Sequence, residues 1–434
     1  MTLVNDLMKF IDNSPVSFNV INNAKSILLE NGFKELDEKK NMVLEKGKKY
    51  FLTRNGTSLI AFKIGDNIDE NYGFNLVASH SDSPCFKVKP EFEKTTDIYN
   101  KINIEPYGGM ICSSWIDRPL SLAGRVIYNE NSTLKTKIIS LKKELLMIPN
   151  VCIHFNRNVN NGYIYDMAKD MQAFIGQKLS KDTIKKIIAK EVGCDENNII
   201  NFDLYLYNTQ KALLWGVNNE YISSPRLDDL ECVYTSLRGF IDSNHDKNIN
   251  VLTIFDNEEV GSSSRQGADS DFLDNILLRI NNSLGYNHEN YMRALSSSFM
   301  ISADNAHAVH PNFPNLTDET NRVYMNEGIV IKFNASQSYT SDGFSSSLLQ
   351  KILKEADVPY QFFTNRSDIR GGSTLGNIAT RHTSILMVDI GLAQLAMHSS
   401  YETAGSKDIE YAYKAFKKFY GSHFVFNQDE VVIE

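Results

Sequence analysis

Five short runs of this 434-residue chain set histidine and carboxylate side chains where they could do chemistry together. The first is Ser79-His80-Ser81-Asp82-Ser83-Pro84, directly after an apolar stretch. A histidine at a strand's end sits where α/β sheets bind ligands, and an aspartate two residues on can orient it or a nearby base. The same run, rich in Ser, Asp and Pro, would equally make a plain turn. The second is Phe255-Asp256-Asn257-Glu258-Glu259-Val260-Gly261. Of two adjacent carboxylates, one can hold a metal while the other takes a proton from water; an acidic helix start would use them differently. The third places Asp304 after the apolar run 299–303, with His307 and His310 following. Either histidine also reads as a packed or hydrogen-bonded residue. The fourth is Met397-His398-Ser399-Ser400-Tyr401-Glu402, where a lone histidine can be structural. The fifth is the pair Asp228-Asp229, which could cap a helix or bridge two ions.

Taken together, His80, Asp228, Glu259, Asp304 and His398 form a candidate ligand set. Two histidines and three carboxylates suit zinc, with cobalt or manganese as alternatives. One carboxylate shared between two ions, about 3.5–4 Å apart, leaves open positions for water and substrate in a two-metal hydrolase.

Such a site needs strands that end side by side. Runs 49–52, 58–64 and 74–79 are rich in β-branched and aromatic residues and predict strands. So do 251–255, 299–303, 329–333 and 384–390, which alternate with helical patterns at 271–284, 345–356 and 408–419. Alternation of this kind predicts an α/β sandwich around a mixed or parallel sheet. A helix is expected over 14–36, with Ser17 as cap and Gly32 as stop. The middle differs. Short strands are expected at 126–128, 137–141, 151–155 and 203–208, with a helix at 180–191. We read 90–221 as a mostly β domain inserted into a discontinuous domain of residues 1–89 and 222–434.

Composition narrows the class. With 45 basic and 53 acidic residues the formal charge is −8, which lacks the electrostatic footprint of a nucleic-acid binder. No apolar run reaches membrane-spanning length, and the start has no basic leader segment. Five scattered cysteines without a CxxC pair predict reduced thiols and a cytoplasmic protein.

The ordered motifs also carry a resemblance. SHSDSP at 79–84, PRLDDL at 225–230, DNEEVGS at 256–262, SADNAHAVHPNF at 302–313, GGSTLG at 371–376 and QLAMHS at 394–399 resemble the M18 metallopeptidases, of the aspartyl aminopeptidase type. The opening run at 10–15 is also similar. The resemblance implies a three-layer α/β/α metallopeptidase domain and an inserted dimerisation domain. It implies His80 and Asp304 on one ion, Glu259 and His398 on the other, and Asp228 between them. It implies Glu258 as general base, with Asp82 supporting the catalytic carboxylate. It further implies that His154 reaches a neighbouring subunit's site, and that His310 and Lys332 contact substrate. Lys332 would face an acidic side chain; otherwise it is an exposed residue on an edge strand. The implied activity is removal of an N-terminal Asp or Glu from peptides, in a dodecamer built from dimers. Two departures stand out: Arg370, where a Pro-Cys-Gly-like run is more usual, and Asp229, which replaces a common Asn.

Other readings stay open at this stage. A two-metal aminopeptidase preferring neutral residues, an M42-like deblocking peptidase, or a hydrolase of other amides would use similar ligands. A non-catalytic peptide-binding or assembly protein would not need Glu258.

Overall fold

The computed structural model describes residues 2–434 except His245, Arg370 and Asp429. Arg370, singled out above, therefore lies outside the described residues. A nine-stranded sheet runs, edge to edge, through Lys34–Glu35, Lys49–Arg54, Ser58–Ile64, Ile249–Phe255, Phe74–His80, Phe299–Ala303, Leu386–Gly391, Ile329–Lys332 and Tyr360–Phe363. Its four central strands, from Ile249–Phe255 to Leu386–Gly391, are parallel. Ile249–Phe255 and Phe74–His80 are buried at every position, as expected for strands covered on both faces.

Successive residues of these strands feed two different cores. Leu59, Ala61, Val77, Leu252 and Ile301 pack with helices Leu3–Asp12, Ser17–Glu30, Leu227–Asp242, Gly343–Glu355 and Asp408–Tyr420. Ile60, Phe62, Leu76, Val251 and Met300 pack with Phe272–Ser283 and His288–Ser296 on the other face. The result is the expected three-layer α/β/α arrangement.

A second sheet of six strands is built from consecutive chain, Cys85–Thr96 to Ile199–Asn208, with helix Thr183–Val192 on its own core. A third sheet joins Leu213–Trp215, Tyr221–Ser224, Glu402–Gly405, Ala393–Leu395 and Ala306–His307. No helix among the described residues is long and apolar enough to cross a membrane.

Three local expectations change. The chain opens with a helix, Leu3–Asp12, that the strand-and-motif reading passed over. The helix expected over 14–36 is Ser17–Glu30; Val16 takes the cap position and Ser17 is its first residue. Gly32 follows its end at φ +79°, where glycine carries no steric cost. Most informative is 151–155, which is a turn, not a strand: the N–H groups of Phe155 and Asn156 both donate to Cys152 O. Val151, Ile153 and Phe155 are all exposed there, Phe155 by 88%. Alternation signals a strand only when one parity is covered, and among the described residues neither parity of 151–155 is buried.

Candidate active site

Parallel pairing brings the ligand-bearing ends together. His80 is the last residue of its strand and stands opposite Phe255 in register, so Glu258 and Glu259 follow immediately beside it. On the other side, Phe299–Ala303 pairs with the same strand and delivers Asp304 one residue past its end. Asp304 N–H is anchored to Ile390 O at 3.0 Å. Asp228 arrives in the first turn of helix Leu227–Asp242, where Asp228 and Asp229 depart from helical dihedrals and are joined by a cis peptide bond. His398 occupies a turn at φ +67°.

The two oxygens of Asp228 face two groups. Oδ1 lies 3.7 Å from His80 Nε2, which is 4.0 Å from Asp304 Oδ1. Oδ2 lies 3.6 Å from His398 Nε2, which is 3.3 Å from Glu259 Oε2. Ligand-type atoms of His80, Asp228, Asp229 and Asp304 fall within 4.8 Å of one another, as do those of Asp228, Glu259 and His398, and of His80, Glu258 and Glu259.

The donor set fits divalent metal. Asp228 Oδ1, Asp229 Oδ1 and Glu259 Oε1 are buried without a hydrogen-bond partner, a cost that a cation would remove. Crowding shows in the proton affinities of the metal-free protein. Burial, then Asp304, lifts the Glu258 carboxyl to about 8. Burial, then Asp228, lifts Glu259 well above the ordinary range. Although burial opposes charge on the ring, Asp228 and Asp82 raise His80. His398 goes the same way, to about 10, against burial and through Asp228 and Glu259. Too many carboxylates share too little water, so protons stand in where cations would balance the charge.

Asp82 holds the turn that carries Glu258 and Glu259. Its Oδ1 accepts Glu258 N–H and its Oδ2 accepts Glu259 N–H, each at 3.1 Å. Its main-chain oxygen lies 3.1 Å from His80 Nδ1. That contact leaves Nε2 facing the ligand cluster.

Reading the sequence missed Glu402. It is buried, and its two oxygens accept His398 N–H at 2.7 Å and Asp228 N–H at 3.0 Å. One carboxylate thus seats the main chain of two residues of the candidate cluster. Its only sequence signal is a glutamate four residues after His398.

The substrate-contact candidates separate. Lys332 is 3% exposed, not an open edge residue, because its strand lies between Tyr360–Phe363 and Leu386–Gly391. Its Nζ donates to Asn305 O at 2.7 Å and lies 5.4 Å from the centre of the Tyr339 ring. Asp304 strengthens its charge against burial. His307 is reached by solvent but walled by protein; desolvation, then Lys332, holds its pKa below the ordinary value. His310 instead stacks near Phe313 at 5.1 Å and accepts Asn312 N–H at 3.1 Å. Among the described residues, neither His310 nor His154 forms an ion pair or hydrogen bond with the cluster. His154 lies on the exposed 151–155 turn.

Comparison with known proteins gives the family. The family profile described as "Aminopeptidase I zinc metalloprotease (M18)" matches residues 10–420. A relative named "Probable M18 family aminopeptidase 2" from Clostridium novyi is 48% identical over 423 residues, covering 96% of this chain and 98% of that one. A chain in a cryo-EM structure of an Ape4 and Nbr1 complex superposes with a TM-score of 0.94 at 34% identity, covering 96% of this chain and 85% of that one. A chain of an S. cerevisiae mApe1 dodecamer superposes at 0.84 with 26% identity, covering 96% of both.

Proposed function

The chain belongs to the M18 family of zinc metallopeptidases and is an aminopeptidase of that family, and from this premise we propose that it is a dinuclear enzyme that removes N-terminal Asp or Glu from peptides. The observation that carries the dinuclear reading is the division of Asp228, with Oδ1 toward His80 and Oδ2 toward His398. His80, Asp304 and Asp228 would hold one ion; Glu259, His398 and Asp228 would hold the other. Zinc fits this mixed nitrogen and oxygen set, and cobalt or manganese would fit it too.

When bound, the ions polarise the scissile carbonyl and make water a stronger acid. Glu258 takes the proton of the attacking water and passes it to the leaving amine. Asp82 keeps Glu258 and Glu259 in place through their main-chain N–H groups. The substrate's free α-amine, being cationic, is drawn to the carboxylate-rich floor. Lys332, whose charge is strengthened by Asp304, offers a buried cation for an acidic first side chain.

His154 is assigned to the neighbouring subunit's site, which requires at least a dimer. The exposed apolar residues of its loop, among them Phe155 and Ile164, support burial against a second copy. By analogy with the mApe1 dodecamer we extend a dimer-based dodecamer to this chain. The inserted residues 90–221 would supply the dimer contact, and residues 1–89 with 222–434 the catalytic unit.

A preference for neutral first residues is the second reading. It is favoured by one observation: Lys332 Nζ is already engaged by Asn305 O. Hydrolysis of Asp-, Glu-, Leu- and Lys-p-nitroanilide by metal-stripped and refilled protein separates the two. Cleavage of Asp and Glu substrates above Leu, lost in Glu258→Gln, supports acidic preference. Cleavage of Leu first keeps the chemistry and removes the acidic pocket. No cleavage with zinc, cobalt or manganese overturns both.

A further inference from the structure

The two halves of the ligand cluster are held by different parts of the fold. His80 and Asp304 stand at the ends of paired central strands. Glu259 sits in a short 3-10 turn, Glu258–Val260, and His398 on a loop, and a single segment of the inserted six-stranded sheet reaches both. That segment begins at Tyr107, the last residue of strand Tyr99–Tyr107. Tyr107 Oη donates to Asp82 Oδ2 at 2.8 Å and accepts from Asn257 Nδ2 at 2.9 Å, joining the two loops on either side of it. Gly108 follows at φ +75°, and a Cβ there would lie 3.2 Å from Glu259 Cβ and 3.3 Å from Glu259 O. His398 Nδ1 donates to Gly109 O at 2.7 Å, since a carbonyl can only accept. In the neutral ring that binds metal, Nε2 is then the nitrogen with the free lone pair, and it faces Glu259 and Asp228. Finally Ile111 N–H donates to His398 O at 3.0 Å.

We propose that residues 107–111 of the inserted sheet are the positioning element for the metal position formed by Glu259 and His398, so that docking of this sheet sets the affinity of the second ion and leaves the first largely untouched. The proposal rests on the dinuclear reading above. Its physical content is preorganisation. Without the strap, the His398 ring can rotate and exchange its protonated nitrogen, and the Glu259 loop loses a backbone wall. Outer partners of metal ligands commonly change affinity by about 10–100-fold. The His80 and Asp304 side keeps its sheet anchors. The same inserted unit carries the exposed 151–167 loop, so its seating is open to influence from a second copy.

The test is stepwise zinc titration of the chelator-stripped full chain by calorimetry, with metal counted by mass spectrometry. Wild type is expected to take two equivalents. Tyr107→Phe removes one oxygen and keeps the ring against Tyr205; Gly108→Ala adds the Cβ that meets Glu259. Both are expected to keep the first equivalent within about threefold and to weaken the second at least tenfold. His398→Ala, as reference, should lose the second equivalent outright. Unchanged affinities in Tyr107→Phe overturn the proposal, and so does equal weakening of both equivalents, which would mark a merely structural role. If Gly108→Ala does not fold, Tyr107→Phe decides alone. A wild-type chain that takes one equivalent overturns the dinuclear reading itself, a failure distinct from the other two.

Discussion

The main-chain N–H of Glu258 donates to Oδ1 of Asp82 at 3.1 Å, across 176 positions of sequence. The main chain of Glu258, the proposed base, is thus held by a side chain from a different strand end, through a bond that does not involve the Glu258 carboxyl. Glu258→Gln keeps this bond and removes only the proton acceptor. We expect kcat to fall about 100–10,000-fold with KM nearly unchanged, measured on the best p-nitroanilide substrate. A fall in KM-controlled binding without loss of kcat would remove Glu258 from the base role.

Asp82→Asn leaves shape but sets an amide N–H₂ against donors. Asp82 accepts from Glu258, Glu259 and Tyr107 at once, and an asparagine cannot face all three with an oxygen. Expected results are a kcat loss of about 10–100-fold and a stability loss of about 1–3 kcal/mol in urea melts. Wild-type stability with wild-type kcat would remove Asp82 as organiser of the loop.

Zinc should stabilise the protein more at pH 8.5 than at pH 5.5. In the metal-free protein Glu258 is raised from 4.5 to about 8 and His398 from 6.5 to about 10; His80 and Glu259 shift upward too. Each raised group adds stability that is complete below its unfolded value and is lost as pH rises through its folded one. The stripped protein therefore weakens across this window, while metal replaces the displaced protons. Each such proton adds about 1.4 kcal/mol per pH unit to the metal-derived increment. Lys63, lowered by burial to about 7, works in the opposite sense, but it is common to both forms and cancels in the difference. Thermal melts with and without zinc at both pH values measure this; an increment that is flat or falls with pH contradicts the crowded-carboxylate account.

Lys332→Met should lower kcat/KM for the Asp substrate at least tenfold relative to Leu, because an acidic first side chain loses the buried cation proposed to pair with it; a desolvated charge pair is worth this much or more. An unchanged Asp-to-Leu ratio would leave Lys332 as the partner of Asp304 and Asn305 alone.

Phe155→Ser, at a side chain 88% exposed in the single chain, is expected to reduce oligomer mass in light scattering. His154→Ala should lower kcat and leave that mass intact. Full-size particles from Phe155→Ser and undiminished kcat from His154→Ala would together detach this loop from assembly and catalysis.

The amino-acid sequence by itself determined the strands that lead to His80, Asp304 and Glu258. Their apolar runs are continuous, their ends carry turn residues, and parallel neighbours must end on one side. It also determined the fold class, since strand and helix patterns alternate through the second half of the chain. It did not determine the role of Glu402 or Tyr107. Each acts through contacts with residues distant in sequence: Glu402 with Asp228, Tyr107 with Asp82 and Asn257. Local pattern carries no trace of such pairings. Nor did it show that 151–155 is a turn, because alternation records residue type and not what covers it. Lys332 makes the same point from the other side: four residues of strand read alike at an edge or one strand in, and only the added Tyr360–Phe363 strand buries it. Burial and long-range hydrogen bonding are properties of the assembled sheets, so they were decided only when the chain was folded.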